Sequence, residues 1–453
     1  MHPSPKSHSF IKPLFGLALI SVVSLLGACE TLEDLDPFGQ KEKPLPGERI
    51  SILVNERSLQ ADVAPGEANI VLPEPTQNDE WPMTGGFANH SMHHIAVSDT
   101  LSEIWSSDIG SGADDEHRFV GPPIVAAGRI YTMDTDSEVR AFSIEDGDRI
   151  WSTDLEDEYD DDGHIGGGLA YERDRIFVST GYGVVFALNA TTGEIIWSEN
   201  TKIPLRAAPT VRGGRVFIST VDNTLLALDA RDGSTLWTHS GAQETASLLG
   251  SASPAVESGI VIVPYTSGEL FALRTDTGRV LWQDNLVSIR RTDAVASLSQ
   301  IRGRPLIDRG RVIAISHAGV MAAIDLRTGR RIWSRQIGGA ESPWVAGDFV
   351  FTITNDNELI AVSRDDGKVL WVLGLPKFED PEDQEDPITW TGPLLVSDRL
   401  IVAGSTGEAL AVSPYTGRLM GIEELPDGIA VPPISAGGFV FFLADDAELA
   451  AYR

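Results

Sequence analysis

The sequence predicts an all-β fold, an eight-bladed β-propeller of four-stranded antiparallel blades with an N-terminal strand closing the last blade. Three observations carry this expectation. First, one pattern recurs seven times between Val139 and Gly421: apolar residues around an Ala, a loop ending in Gly, and a Trp four residues later. Its copies reach Trp151, Trp197, Trp237, Trp282, Trp333 and Trp371, and the seventh runs through Gly417 to Gly421, a glycine where the indole belongs. Self-similar strand segments at a period of roughly 40–50 residues are the signature of propeller blades. Second, the segments inside each copy are short, apolar and β-branched, as in Arg215–Ser219 and Gly259–Val263, and Gly, Asp and Asn break them. Third, the two ends complement each other. Glu448–Arg453 matches the inner part of the repeat without its Gly and Trp strand, and Leu101–Trp105 reads as an orphan outer strand.

Each part of the repeat has a physical role. The Asp-Gly or Thr-Gly before the last strand supplies the positive φ of a tight hairpin turn. The tryptophan then falls at a fixed place on the outer strand, where an indole buries roughly 150–250 Å². Trp105 and the six indoles of the repeat are therefore expected to cement adjacent blades. Closure into a ring removes the free sheet edges that template aggregation. Seven blades is the alternative, should the degenerate copy around Gly417 not form a blade of its own.

The N-terminal residues carry Lys6 and Lys12, an apolar run from Leu14 to Leu26, and then Leu26-Gly27-Ala28-Cys29. This reads as a secretory signal ending in a lipobox, in which Cys29, the only cysteine, receives the lipid. The run, about 13 residues, falls short of the roughly 20 that a membrane-spanning helix needs. Glu30 replaces the Asp that signals inner-membrane retention, so the expectation is an outer-membrane lipoprotein facing the periplasm. Residues 29–80, rich in Pro, Glu and Asp, read as a tether with a short strand or turn around Ile50–Val54, leaving 1–28 as signal peptide and 81–453 as the propeller.

A formal net charge of −31 argues against nucleic acid and anionic lipid as partners, so membrane attachment falls to the lipid anchor. The acidic runs Glu156–Asp162 and Glu379–Asp386 offer oxygen ligands but lack the spaced carboxylates and fixed Gly of a calcium loop, and solvated inter-blade loops are the plainer reading. His90, His93 and His94 have ligand-like spacing, yet nothing nearby completes a metal site. His117, His164, His239 and His317 fall at unrelated points of their repeats, and no nucleophile elbow, phosphate loop or dinucleotide fingerprint stands in a believable context. Gly166-Gly167-Gly168 reads as a bend. No catalytic residue, metal site or cofactor site is legible.

The repeat, clearest from Ala187 to Trp197, Ala227 to Trp237 and Ala323 to Trp333, resembles the PQQ-type repeat of quinoprotein dehydrogenases over about residues 100–453. Those enzymes carry an adjacent cysteine pair at the quinone and a calcium site. A single cysteine cannot form the pair, and no Cys-x-x-Cys-His for a haem is present. The lipobox, the acidic tether, the Trp81-Pro82-x-x-Gly85-Gly86 lead-in and the eight degenerate blades more closely resemble the BamB family of outer-membrane lipoproteins. That resemblance implies a non-catalytic scaffold without cofactor, docked on a POTRA domain of BamA within the β-barrel assembly (BAM) complex. Unfolded outer-membrane proteins are a further class of partner, whose folding and insertion it assists. An apolar-x-Leu-Arg docking stretch of the family corresponds here to Ile203, Leu205 and Arg206. The alternative is that Ile203 and Leu205 pack under their own loop. The family's second contact, an Asp-x-Asp, is not kept, and Gln300 and Arg302 stand in its place. The rival readings are a periplasmic PQQ-dependent dehydrogenase or other ligand-binding propeller, and an envelope adaptor with another partner.

Overall fold

Eight four-stranded antiparallel sheets succeed one another along the chain. The computed structural model describes residues 59–453 apart from 65, 115, 156–165, 245–251 and 288–299. Cys29 with the signal and lipobox, the acidic run Glu156–Asp162 and His164 lie outside the described residues. Blades 1 to 7 occupy residues 124–154, 167–200, 210–240, 255–285, 306–335, 344–374 and 390–424, each with its strands in chain order. First strands of neighbouring blades approach one another around a common axis, and no helix occurs among the described residues. Blade 8 is the shared one. Its strands at 434–436, 439–443 and 448–452 are completed by Glu103–Asp108, which pairs antiparallel with Glu448–Tyr452.

Strand register explains why the repeat is written as it is. On the last three strands of each blade one row of side chains lies abreast: Phe217, Ala227 and Trp237 in blade 3, and Phe351, Ala361 and Trp371 in blade 6. The central alanine is too small to lift the indole off the sheet. Trp237 therefore reaches across it to Phe217, with ring centroids 5.9 Å apart, and Trp371 reaches Phe351 at 6.0 Å. Blade 8 repeats the arrangement with Phe441, Ala451 and Trp105, although these residues come from opposite ends of the propeller sequence.

Each indole also bonds the next blade. Trp105, Trp151, Trp197, Trp237, Trp282, Trp333 and Trp371 donate from Nε1 to the carbonyls of Ile144, Ala190, Ala230, Thr275, Leu326, Arg364 and Pro414, at 2.7–3.2 Å. The turn glycine of that neighbouring blade lies flat on the indole. A Cβ at Gly278 would stand 2.5 Å from Trp237, and one at Gly329 would stand 2.6 Å from Trp282. Glycine is thus required twice over, for its φ of +67° and +71° and for the ring it touches.

The eighth junction differs. Between Tyr452 and Glu103 there is no connecting turn, so no turn glycine exists for an indole of blade 7 to cover. Gly421, opposite Ala411 in the tryptophan position, accordingly meets open space. Leu419, Met420 and Ile422 beside it are 50%, 57% and 55% exposed.

Residues 59–80, read from composition as the end of a tether, instead lie on the ring. Asp62 N–H donates to the Val369 carbonyl, its carboxylate accepts from Val369 N–H, and it pairs with Arg335 at 3.2 Å. Ile70 is buried in the same core cluster as Trp371 and Trp390. Pro, Glu and Asp are poor β-formers but serve well in such a strap, whose contacts are caps and single side chains rather than a ladder.

Removing one cement indole is expected to be costly. Trp282→Ala should destabilise by roughly 3–5 kcal/mol through lost burial and cavity. Gly278→Ala should cost about 1–3 kcal/mol by straining its left-handed turn against Trp237. Thermal unfolding checks both, with Gly421→Ala as a neutral control, and an unchanged midpoint in the first two variants refutes the account.

Candidate partner-docking site

Residues 76–97 run through the axis and clasp the inner edges of the blades. Trp81 exchanges backbone hydrogen bonds with Val125 of blade 1 at 2.7 and 2.8 Å. The carbonyls of Pro82, Ala88, Asn89 and Ile95 accept from Tyr171, Val256, Ile307 and Ser397 of blades 2, 4, 5 and 7. Trp344 of blade 6 donates from its indole to the His93 carbonyl at 2.7 Å, and Asn78 donates from its amide to Ser435 of blade 8 at 2.9 Å. The first strands would otherwise present unpaired N–H and C=O groups to the channel.

The lead-in motif is built for this close passage. Gly85 lies against the His90 ring, where a Cβ would be 2.5 Å from its Cδ2, and Gly86 takes a φ of +85° beneath the Met92 side chain. His90 is buried and donates from Nδ1 to the Pro305 carbonyl at 2.8 Å. Burial, and secondarily the Arg304 charge, push its pKa down to about 3. His94 donates from Nδ1 to the Pro73 carbonyl and accepts from Asp398 N–H at Nε2. The two buried histidines are thus clasps of the strap, and among the described residues no group of three or more His, Cys, Asp or Glu could hold a metal ion.

A cavity of about 30 Å³ is lined by Trp81, Thr84, His90, Arg304 and Trp344, and the two indoles stack at 6.1 Å. Organic cofactors occupy clefts of roughly 300–1,000 Å³, so a quinone does not fit these residues.

The expected docking stretch lies on the loop joining blades 2 and 3. Thr201 donates from its hydroxyl to the carbonyls of Gly183 and Ile203, both at 2.8 Å, and Val221 N–H donates to the Pro204 carbonyl at 3.0 Å. Pinned on both sides, the loop turns Leu205 inward. Leu205 is 0% exposed and bridges Thr220, so the expectation of a Leu205 contact gives way to packing under its own loop. Ile203 and Arg206 are half-buried and Pro204 is exposed. Gly166-Gly167-Gly168 is more than a bend, because Gly167 and Gly168 open the first strand of blade 2. The absent side chains let Gly166 pass the Leu205 carbonyl, Gly167 the Ser179 carbonyl and Gly168 the Ala208 methyl. Gln300 is buried, and Arg302 faces Glu341 at 3.8 Å. Spacing could have flagged the loop, but not the inward rotation of Leu205, which depends on partners 15 or more residues away.

A family model described as "Outer membrane protein assembly factor BamB" matches residues 94–161 and 136–373. The chain belongs to the BamB family. The BamB of Escherichia coli K12 is 25% identical over 206 residues, 45% of this chain and 50% of that protein. The BamB of Alkalilimnicola ehrlichii is 28% identical over 208 residues, 46% and 52% of the two chains. The chain spans about half the length of the curated relatives it matches. In fold, the crystal structure of BamB from Moraxella catarrhalis superposes with a TM-score of 0.63 at 19% identity, covering 78% of this chain and 98% of that one. A europium-containing methanol dehydrogenase gives 0.66 at 14% identity, over 83% of this chain and 98% of that one. Both show the shared propeller alone.

His90 sets an acid sensitivity. The unfolded chain takes a proton near the ordinary 6.5, which native His90 refuses until about pH 3, so its contribution is complete above pH 6.5 and is lost as pH falls towards 3. Between pH 7 and pH 5 the loss is about 2 kcal/mol. Comparing denaturant unfolding of the natural chain and His90→Gln at the two pH values should show their stability difference changing by that amount. A constant difference would mean that His90 titrates normally in the fold.

Proposed function

We propose that this chain is a non-catalytic scaffold lipoprotein of the outer membrane, anchored through an acylated Cys29 and facing the periplasm. It docks on a POTRA domain of BamA within the β-barrel assembly complex and assists folding and insertion of outer-membrane proteins. The family match across most of the propeller carries this reading. Three features support it. The channel is filled by the chain's own strap and leaves a cavity of about 30 Å³, which suits a rigid platform rather than a quinone enzyme. The loop at Ile203, Pro204 and Arg206 presents apolar surface beside a guanidinium, the residue types that anchor interfaces. Lys202 and Arg206 are cations on a chain of net charge −31, so a partner with an acidic, partly apolar edge is steered to this loop.

Co-elution of the purified mature protein with the periplasmic region of its cognate BamA tests the reading. Ile203→Glu with Arg206→Glu should weaken that complex at least tenfold, about 1.4 kcal/mol or more, without changing the fold. Leu205→Glu should instead unfold blade 3, because it buries a carboxylate. A mature protein that does not bind, or a double variant that binds as well as the natural chain, overturns the proposal.

A further inference from the structure

The channel cavity holds a cation, Arg304, whose neighbouring carboxylate is shared with a second arginine. Arg304 is half-buried, and among the described residues its Nε is buried without a hydrogen-bond partner. Glu341, the carboxylate that acts on it, is engaged by Arg302 at 3.8 Å and by the Thr391 hydroxyl at 3.1 Å. Trp81 and Thr84, 3% and 4% exposed, line the same cavity, and the indole Nε1 and the hydroxyl are likewise buried without partners. Of the cavity's other polar groups, the Ser342 hydroxyl already accepts from Arg304 N–H at 3.0 Å, and His90 is committed through Nδ1 to Pro305. A half-buried guanidinium that shares its carboxylate with a second arginine is under-compensated, and indole and guanidinium groups can only donate. The site therefore has more donors than acceptors and more positive than negative charge, a balance that water supplies only in part and an anion supplies fully.

We propose that Arg304, Trp81 and Thr84 form a binding site for a small monoanion of the carboxylate class on the propeller axis. Charge fixes the valence, because Arg302 and Arg304 set two positive charges against the one carboxylate of Glu341. Size fixes the scale: a cavity of about 30 Å³ suits a group the size of a carboxylate head. Shape fixes the class, since a planar carboxylate can take two parallel hydrogen bonds from a guanidinium. Pro343, Pro393 and Trp344 supply an apolar wall for the carbon behind it.

Scanning calorimetry of the full mature chain tests the site. Sodium acetate would be titrated to 100 mM against sodium methanesulfonate at constant ionic strength. Acetate should raise the unfolding midpoint by about 2–4 °C. Arg304→Gln should abolish the shift, Thr84→Val should weaken the apparent affinity several-fold, and Arg453→Gln, on the rim, should retain it. Bromide-soaked crystals of the natural chain should show an anomalous peak beside Arg304, which keeps the proposal testable if Arg304→Gln does not fold. A tripeptide with a free C-terminal carboxylate, compared with its amide, separates sources. A response to acetate alone assigns a free anion, and a response to the peptide acid assigns a chain-borne carboxylate, and either upholds the site. Equal acetate shifts in the natural chain and Arg304→Gln, or no acetate shift and no bromide beside Arg304, overturn it.

Discussion

The ring rests on one repeated contact, an indole lying on its neighbour's turn glycine while donating a hydrogen bond to a carbonyl of that neighbour. A lone four-stranded sheet cannot bury both faces, so no blade is stable by itself and each borrows burial from the next. The contact is directional as well as apolar. Donation to the neighbouring backbone fixes the angle between sheets, and the abreast row of aromatic, alanine and tryptophan fixes its depth. Seven of the eight junctions use it, and the eighth relies on the strand pairing that joins the two ends of the propeller.

The strap turns a ring with a hole into a solid platform. In an open propeller the inner strands offer unpaired edges to solvent or to a ligand, but here residues 76–97 take up those groups almost all the way round. What they leave is a cavity at Arg304, and the surface available for recognition shifts outward to the loops between blades. The outer strands carry isolated exposed apolar residues such as Ile104, Ile150 and Leu236, whereas Ile332 and Leu370 at the same place in blades 5 and 6 are half-buried in the clusters that Leu59 and Ile70 join.

Much of the fold was legible because its periodicity is physical. The Gly-to-Trp spacing measures one turn and half a strand, and the lone deviation, Gly421, marks the one junction where the partner turn is missing. The orphan strand at Trp105 was readable for the same reason. The strap was not, because its contacts are single side chains and backbone clasps to seven different blades and leave no period in the sequence. The proposed docking loop was half legible. Residue type singles out Ile203 and Arg206, but Leu205 is turned inward where Thr201 bonds Gly183 and Val221 bonds Pro204, long-range pairs that local spacing does not encode. Arg304 gave no signal at all, since an arginine in a Gly-x-Pro loop reads as surface until the strap is seen to cover it.

The pairing of Glu103–Asp108 with Glu448–Tyr452 orders events in time. Synthesis from the amino end delivers one partner of this ladder at the start of the propeller and the other at its finish, and Ser102 and Arg453 are 351 positions apart. Until that finish, blade 8 has no rim strand and the strap lacks the later blades that grip it. Bringing such distant segments together is slow, because loop-closure entropy must be overcome before any contact rewards it. Until the two ends meet, the propeller is therefore an open arc whose inner edges stand unpaired.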